Sequence, residues 1–199
     1  MKNRINTSEY YAIGHDTPES LFDETLGSSP RHRISFLFGG IGDARNLFQS
    51  IIEIAAHEGK YKKKKSLKEY YFTIVDIKSA AIARNLVVLM LLDALLAHGA
   101  PPEKSRKILL CIFYTYLSSI MPSNLHEVLQ EKIGEAKLAL ENGALPPFID
   151  IPDMYRAEIV GYLDDWQRKA QQEYPRRCLC PCAYTIDGTT KPSRASTRT

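Results

Sequence analysis

Two short apolar segments, each followed by a longer stretch with helical periodicity, dominate the first half of the chain. Residues 34–38 are apolar at four of five positions and lead directly into a run of glycines. Residues 70–75 are dense in aromatic and β-branched side chains, which favours a second strand. A short apolar run such as 34–38 is typical of a strand buried on both faces of a parallel sheet. The pattern therefore predicts a β-α-β-α unit.

The segment after the glycines predicts an amphipathic helix. Apolar residues recur there at three- and four-residue steps, which places them on one helical face. Gly59 follows the last of them and favours the end of the helix, because glycine readily adopts the left-handed conformation found there. The predicted buried face consists of Leu47, Phe48, Ile51, Ile52 and Ala55.

The second half of the chain predicts helices without further β-α alternation. Residues 79–98 are apolar nearly all round and predict a helix packed on several sides. Helical periodicity returns at 104–121, at 125–142 and after Asp153. The β-branched and aromatic content of 108–120 would also suit a buried strand. The predicted fold is thus α/β, a partial Rossmann-like β-α-β-α unit followed by a mostly helical C-terminal part.

The same pattern divides the chain into four parts. Residues 1–30 are polar and turn-rich and form an N-terminal extension. The Rossmann-type unit occupies residues 31–122, and a helical extension follows over 123–173. Residues 174–199 are rich in Arg, Cys, Pro, Ser and Thr and cannot bury enough apolar area to offset their ordering entropy. We expect this last part to be a disordered basic tail.

Composition and charge restrict the class of protein. The chain has 199 residues, of which 44% are hydrophobic and 25% charged, as in an ordinary globular protein. Its net charge of +3 is unevenly distributed, because residues 60–68 hold six lysines and residues 168–199 hold seven Lys or Arg against two acids. The remaining body is net acidic, which argues against a globally basic nucleic-acid binder. The segment from Lys60 to Lys68 and the basic tail keep nucleic-acid association open as an alternative.

The cysteines and the apolar runs indicate the compartment. Cys111 lies in an apolar stretch and is expected to be buried as a small hydrophobe. Cys178, Cys180 and Cys182 do not form paired C-x-x-C knuckles, so we expect no zinc site. The N-terminus lacks the apolar core of a signal peptide, and no apolar run reaches the roughly 20 residues that span a bilayer. We expect a cytoplasmic protein without a membrane partner, with the nucleus as the alternative compartment.

One constellation could carry chemistry, the glycine turn after the first predicted strand and the acid after the second. Gly40 and Gly42 would let the backbone turn sharply and approach a ligand without an intervening Cβ. Asp43 and Arg45 follow at the start of the predicted helix, whose N-terminus presents unpaired N–H groups. Asp76 ends the second strand, where a carboxylate can accept hydrogen bonds from ribose hydroxyls. Since parallel strands end at one sheet edge, we expect Gly42 and Asp76 to face the same crevice.

A purely structural interpretation of these residues stays open. A glycine pair followed by an aspartate can form a tight turn and cap a helix, and Asp43 with Arg45 can form a first-turn ion pair. The turn lacks the third glycine of the dinucleotide fingerprint, and Asp76 lies farther along the chain than the roughly 20 residues typical of that motif. The residues alone leave a ligand pocket and a capped turn as alternatives.

Longer stretches around these residues carry a resemblance to known families. Residues 75–85, Val-Asp-Ile-Lys-Ser-Ala-Ala-Ile-Ala-Arg-Asn, resemble the second-strand region of S-adenosylmethionine-dependent methyltransferases. Four segments resemble a fungal family, the domain of unknown function 4470, which often precedes a MYND-type zinc finger. That family is similar to the N-terminal domain of the dynein axonemal assembly factor, and its most specific element here is Gly-x-Gly-Asp-x-Arg. The four segments are residues 12–14, 38–46, 72–76 and 83–85.

The resemblance implies a methyltransferase-like half without an established activity. S-adenosylmethionine would be the candidate cofactor, although the two predicted strands are fewer than a complete methyltransferase sheet needs. We expect a non-catalytic or degenerate methyltransferase-like domain that acts in protein interaction or assembly with an unidentified protein partner. The alternatives are an S-adenosylmethionine-binding enzyme and a nucleic-acid-associated protein. The cofactor-binding residues that the resemblance implies are Gly40, Gly42, Asp43, Arg45 and Asp76.

Overall fold

The chain folds as a mixed α/β structure. A computed structural model describes residues 17–61, 68–97, 101–117 and 121–173. Within these residues there are two strands and six helices, which agrees with the predicted α/β class and its mostly helical second half. In chain order the elements are α1 (Glu24–Ser28), β1 (Arg33–Gly39), α2 (Arg45–Tyr61), β2 (Glu69–Val75), α3 (Ser79–Leu96), α4 (Pro102–Leu117), α5 (Ser123–Asn142) and α6 (Asp153–Glu173).

β1 and β2 form a two-stranded parallel sheet, as the sequence predicted. The register pairs Arg33 with Glu69 at one end and Gly39 with Val75 at the other. Because the strands run in the same direction, both end at one edge of the sheet. The glycine turn that follows β1 therefore lies beside the residues that follow β2.

The sheet is buried on one face only, so the prediction that residues 34–38 are buried on both faces is wrong. Ile34, Phe36 and Phe38 are buried, whereas the Leu37 side chain between them is 66% exposed. β2 shows the same alternation of more and less exposed residues. The physical reason is that α2 and the first turn of α3 pack into the same apolar cluster, which covers a single face.

The buried face of α2 is rotated from the predicted one. Ile51 and Ile52 are 37% and 60% exposed, although their spacing predicted burial. Polar residues take two of the four buried positions, so hydrophobic periodicity could not identify this face. The side chains that α2 buries are Leu47, Ser50, Ile54 and His57.

Contacts with the segment before α1 explain why α2 buries a polar side chain. The Ser50 hydroxyl donates to the Asn46 carbonyl at 2.8 Å and accepts from the Leu21 amide at 3.0 Å. The His57 ring packs edge-on against Phe22, with ring centroids 5.3 Å apart. The buried hydroxyl is thus fully bonded, which removes the penalty for burying it unpaired.

The end of α2 also differs from the prediction. Gly59 lies inside the helix, which continues to Tyr61, so Lys60 is helical rather than part of a loop. Glycine inside a helix costs only about 1 kcal/mol relative to alanine, and neighbouring contacts can outweigh that cost. The predicted loop residues 62–67 lie outside the described residues.

The helices α3, α4, α5 and α6 share one apolar core. α3 packs against the other three helices, which confirms the prediction of a helix buried on several sides. The segment that also suited a strand is helical as far as Leu117. Gly143 ends α5 in the left-handed conformation, with a φ of 64°. The most buried core side chains include Val87, Leu91, Cys111, Leu129, Ile133 and Leu163.

Cys111 behaves as the sequence predicted. Its side chain is fully buried, and this burial raises the pKa of the thiol to about 11. The Sγ atom lies 3.6 Å from the Leu125 carbonyl of α5. Cys178, Cys180 and Cys182, together with the predicted tail 174–199, lie outside the described residues.

Among the described residues, α3 alone has the length and hydropathy that crossing a bilayer would need. A buried core helix meets the same two criteria. Seven α3 residues are buried in this fold, and the helix contacts three others.

Candidate functional site

The glycine turn connects β1 to α2 at the carboxyl edge of the sheet. Gly40 and Gly42 have φ values of 64° and 49°, and Ala44 has a φ of 59°. Glycine adopts positive φ without a Cβ clash, so these two positions require it. Ala44 is a strained exception, and its side chain is fully buried. Three left-handed residues at alternate positions coil the backbone tightly.

The first amides of the turn donate hydrogen bonds within the chain. The amides of Gly40 and Ile41 both donate to the Val75 carbonyl, at 2.8 and 3.3 Å. The Ala44 amide donates to the Ile41 carbonyl at 2.8 Å. These bonds attach the turn to the end of β2 and close it on itself.

Asp76 holds the turn from the second strand. Its Oδ2 atom accepts from the Gly42 amide at 3.0 Å, and its Oδ1 atom accepts from the Lys78 amide at 2.8 Å. The structure thus places Gly42 and Asp76 in direct contact at one sheet edge. Each carboxylate oxygen already accepts a backbone hydrogen bond, so Asp76 joins the turn to the start of α3.

Asp43 and Arg45 interact at the start of α2. The Arg45 amide donates to Asp43 Oδ1 at 3.3 Å, and the Arg45 Nε atom lies 3.6 Å from the same oxygen. The side chains are 12% and 26% exposed, for Asp43 and Arg45 respectively. Asp43 therefore accepts the first amide of α2 and forms an ion pair with the Arg45 side chain.

Two side chains of α3 donate hydrogen bonds to the carbonyl oxygen of Gly42. Arg84 Nη2 donates to this oxygen at 2.9 Å and Asn85 Nδ2 donates to it at 3.1 Å. Asn85 is fully buried, and its Oδ1 atom accepts from the Tyr116 hydroxyl of α4 at 2.8 Å. A chain of hydrogen bonds therefore links the turn to α3 and α4.

Sequence reasoning did not assign these three residues to the site. Arg84 and Asn85 had a signal, since they are a polar pair between apolar residues of α3. Tyr116 had none, because it follows Asn85 by 31 residues and only the packing of α4 on α3 brings it there.

Burial controls the electrostatics of this cluster. Burial is the largest effect and raises the pKa of the Tyr116 hydroxyl far above its ordinary value. The positive charge of Arg84 lowers this pKa, and the negative charge of Asp43 raises it. The Arg84 guanidinium lies 5.2 Å from the centroid of the Tyr116 ring, within cation–π range. Tyr116 therefore stays protonated at neutral pH and keeps donating to Asn85.

In this conformation, most of the polar groups of the turn form hydrogen bonds within the chain. The amides of Gly40, Ile41, Gly42, Ala44 and Arg45 donate within the chain, and each oxygen of Asp76 accepts one backbone hydrogen bond. A phosphate- or ribose-binding turn needs such groups for its ligand. Within the described part of the chain, no group of three His, Cys, Asp or Glu side chains could hold a metal ion. The cluster instead braces the junctions of β1 with α2 and of β2 with α3.

A known family matches the part of the chain that contains the glycine turn. The family model described as Domain of unknown function (DUF4470) matches residues 12–118, more than half of the chain. The chain belongs to the DUF4470 family. The match contains the glycine turn and all the side chains that bind it, and it ends just after α4. The predicted resemblance of the chain to the DUF4470 family is thereby confirmed. No curated protein and no solved structure matches it.

Proposed function

We propose that this DUF4470 chain is a non-catalytic or degenerate methyltransferase-like domain that acts in protein interaction or assembly. The observation that carries the proposal is that the amides of Gly40, Ile41 and Gly42 donate hydrogen bonds within the chain. Asp76, which would bind a ribose in a nucleotide site, accepts from the amides of Gly42 and Lys78 instead. Residues that could form a ligand pocket are thus used to hold two strand ends together.

Opening this turn for a ligand would have an energetic cost. A ligand that took the place of Gly42 at Asp76 would break a partly buried hydrogen bond. Such a bond contributes about 0.5–1.5 kcal/mol to stability, and leaving a buried partner unpaired costs about 1–3 kcal/mol. This cost would be subtracted from the binding free energy of any ligand at the turn.

The outer face of the sheet supports the interaction part of the proposal. Leu37, Tyr71 and Val75 lie on this face and are 66%, 47% and 51% exposed. Ile77, just beyond β2, is 97% exposed. Parallel sheets are usually covered on both faces, whereas these apolar side chains are exposed here. An assembly partner would provide the missing cover.

Titration with S-adenosylhomocysteine tests the proposal. We expect no heat of binding in calorimetry and no change in the melting temperature at millimolar ligand. A true site saturated at 100 times its Kd would stabilise the fold by about 2.7 kcal/mol, which a thermal shift detects readily. A known S-adenosylmethionine-binding enzyme is the positive control.

The Asp76→Asn variant tests the bracing role in the absence of any ligand. An amide keeps one oxygen acceptor and loses the charge, so one of the two backbone bonds is lost and the other weakens. We expect the free energy of unfolding in urea to fall by about 1–3 kcal/mol. Unchanged stability of this variant would contradict the structural role of Asp76.

The same samples distinguish the alternatives. The position of Asp76 beside a glycine turn favours an S-adenosylmethionine-binding enzyme as the second candidate. Saturable binding of S-adenosylhomocysteine that Asp76→Asn abolishes would establish that candidate and overturn the first. Nucleic-acid association through Lys60 to Lys68 and the basic tail would appear as binding that weakens steeply with salt.

A further inference from the structure

α4 carries an exposed apolar strip on the side that faces away from the core. Leu109, Leu110 and Phe113 are 57%, 37% and 52% exposed. Their spacing places them on one helical face, and we call these three residues the α4 strip. The opposite face is packed into the core through Ile108, Cys111 and Thr115.

Two exposed cations adjoin this strip at the N-terminal end of the helix. Arg106 lies on the same face, one turn before Leu109 and Leu110, and Lys107 flanks it. The ion pairs formed between described residues include neither side chain. Arg106 and Lys107 are adjacent in the second turn of α4, so they place two positive charges beside the strip. Carboxylates of a partner would be attracted to these charges.

We propose that the α4 strip is the docking surface for an acidic amphipathic helix of a protein partner. This inference rests on the proposed interaction function and specifies the chemistry of the partner. Apolar side chains of such a helix at i, i+3, i+4 and i+7 would cover the strip. Its carboxylates would face Arg106 and Lys107, which sets the orientation of the partner along α4.

The shape and charge of the strip favour this partner over other occupants. The strip is one helix wide, and Arg106 and Lys107 lie at one end of it. This arrangement suits a single helix better than an extended anionic surface. A second copy would place cations against cations if its α4 ran parallel. If it ran antiparallel, the cations would face the apolar end of the strip and stay unpaired. A partner helix with acidic side chains satisfies both the apolar and the charged positions.

Selection from a displayed peptide library tests this proposal. The library consists of helical peptides with a fixed Leu/Phe stripe and random polar positions, and the target is the full chain. We expect the enriched peptides to carry an excess of Asp and Glu. Their affinity should fall at least tenfold for Leu109→Ser/Phe113→Ser. It should fall at least threefold for Arg106→Ser/Lys107→Ser and weaken with salt.

Matched controls keep the result interpretable. Met154→Ser/Tyr155→Ser removes two apolar side chains from α6 that are 78% and 52% exposed, and it should leave the affinity unchanged. All these positions are exposed, so the variants should keep the melting temperature of the unmodified chain. A failed peptide selection together with absent S-adenosylhomocysteine binding would overturn the docking surface while leaving the proposed function intact.

Four outcomes would overturn the inference. The first is a selection without enrichment, and the second is enrichment of neutral or basic peptides. The third is peptide affinity that Leu109→Ser/Phe113→Ser does not change. The fourth is a different occupant of the strip. It would be shown if the chain bound phosphatidylserine vesicles or dimerised in sedimentation, and if Leu109→Ser/Phe113→Ser abolished that binding or dimerisation.

Discussion

Asn85 connects three parts of the fold through one buried side chain. Its amide nitrogen donates to the Gly42 carbonyl and its amide oxygen accepts from Tyr116. Only a side chain that is both donor and acceptor satisfies both neighbours, so aspartate and leucine would each leave a buried group unpaired. The glycine turn is thus supported from the helical core as well as from Asp76.

Replacing Asn85 by leucine should destabilise the fold strongly. The change removes two hydrogen bonds and leaves the Tyr116 hydroxyl buried without a partner. We expect a loss of about 2–4 kcal/mol in the free energy of unfolding, measured in urea. Tyr116→Phe, which leaves only the Asn85 oxygen unpaired, should cost about 1–2 kcal/mol. The double variant should lose less than the sum, and strict additivity would show that the two side chains are not coupled.

The short helix α1 depends on residues outside it. A helix of five residues is not stable alone, because nucleation is unfavourable. Asp23 caps it by accepting from the Leu26 amide at 2.9 Å. Hydrogen bonds from the Thr25 hydroxyl and the Leu26 amide lower the pKa of Asp23. This contribution to stability is present above the ordinary pKa of the carboxyl and is lost as the pH falls.

Lys68 fixes the end of α1 to the start of β2. Its Nζ atom donates to the carbonyls of Leu26, Gly27 and Ser29 at 3.1, 2.6 and 2.9 Å. An ammonium has three donors, and all three find acceptors among the carbonyls at the helix end. This lysine therefore has a structural role that the other residues of its lysine-rich segment need not share.

Lys68→Met should loosen α1 while keeping most of the side-chain volume. Losing three charge-assisted bonds should reduce the free energy of unfolding by about 1–3 kcal/mol in a urea titration. Hydrogen exchange should rise first in α1. Lys60→Met is the matched control, because Lys60 is exposed at the end of α2 and should tolerate the change. Equal effects of the two substitutions would contradict the special role of Lys68.

The molecule has two apolar cores that meet at α3. One lies between the sheet and α2, and the other lies among α3, α4, α5 and α6. Ile82 packs against both of them. The DUF4470 match ends at residue 118, whereas α5 and α6 lie beyond it and bury much of α3.

Truncation tests whether the matched segment can fold alone. A chain ending at residue 118 lacks Leu129, Ile133 and Leu163, which are fully buried in the helical core. We expect it to bind the dye ANS and to lose cooperative thermal unfolding, since α3 would be exposed. A chain ending at residue 173 should melt like the full chain. Cooperative unfolding of the 118-residue chain would contradict the need for α5 and α6.

The candidate site could be predicted from the sequence in part. The glycine pair and the acid after the second strand were visible as residue types, and parallel pairing implied that they meet. Whether their polar groups face a ligand or one another was not visible, because that depends on donors from α3 and α4. Asn85 and Tyr116 reach the turn only through helix packing.

The sequence by itself determined the two strands, the run of helices, the burial of Cys111 and the glycine end of α5. Apolar periodicity and the conformational freedom of glycine are local properties, and at these positions the tertiary contacts agree with them. Only the tertiary structure decided which face of α2 is buried, that β1 is covered on one face, and that Asp76 and Lys68 bind backbone groups. Each of these depends on segments far apart in sequence, whose pairing is set by how the helices and the sheet pack together.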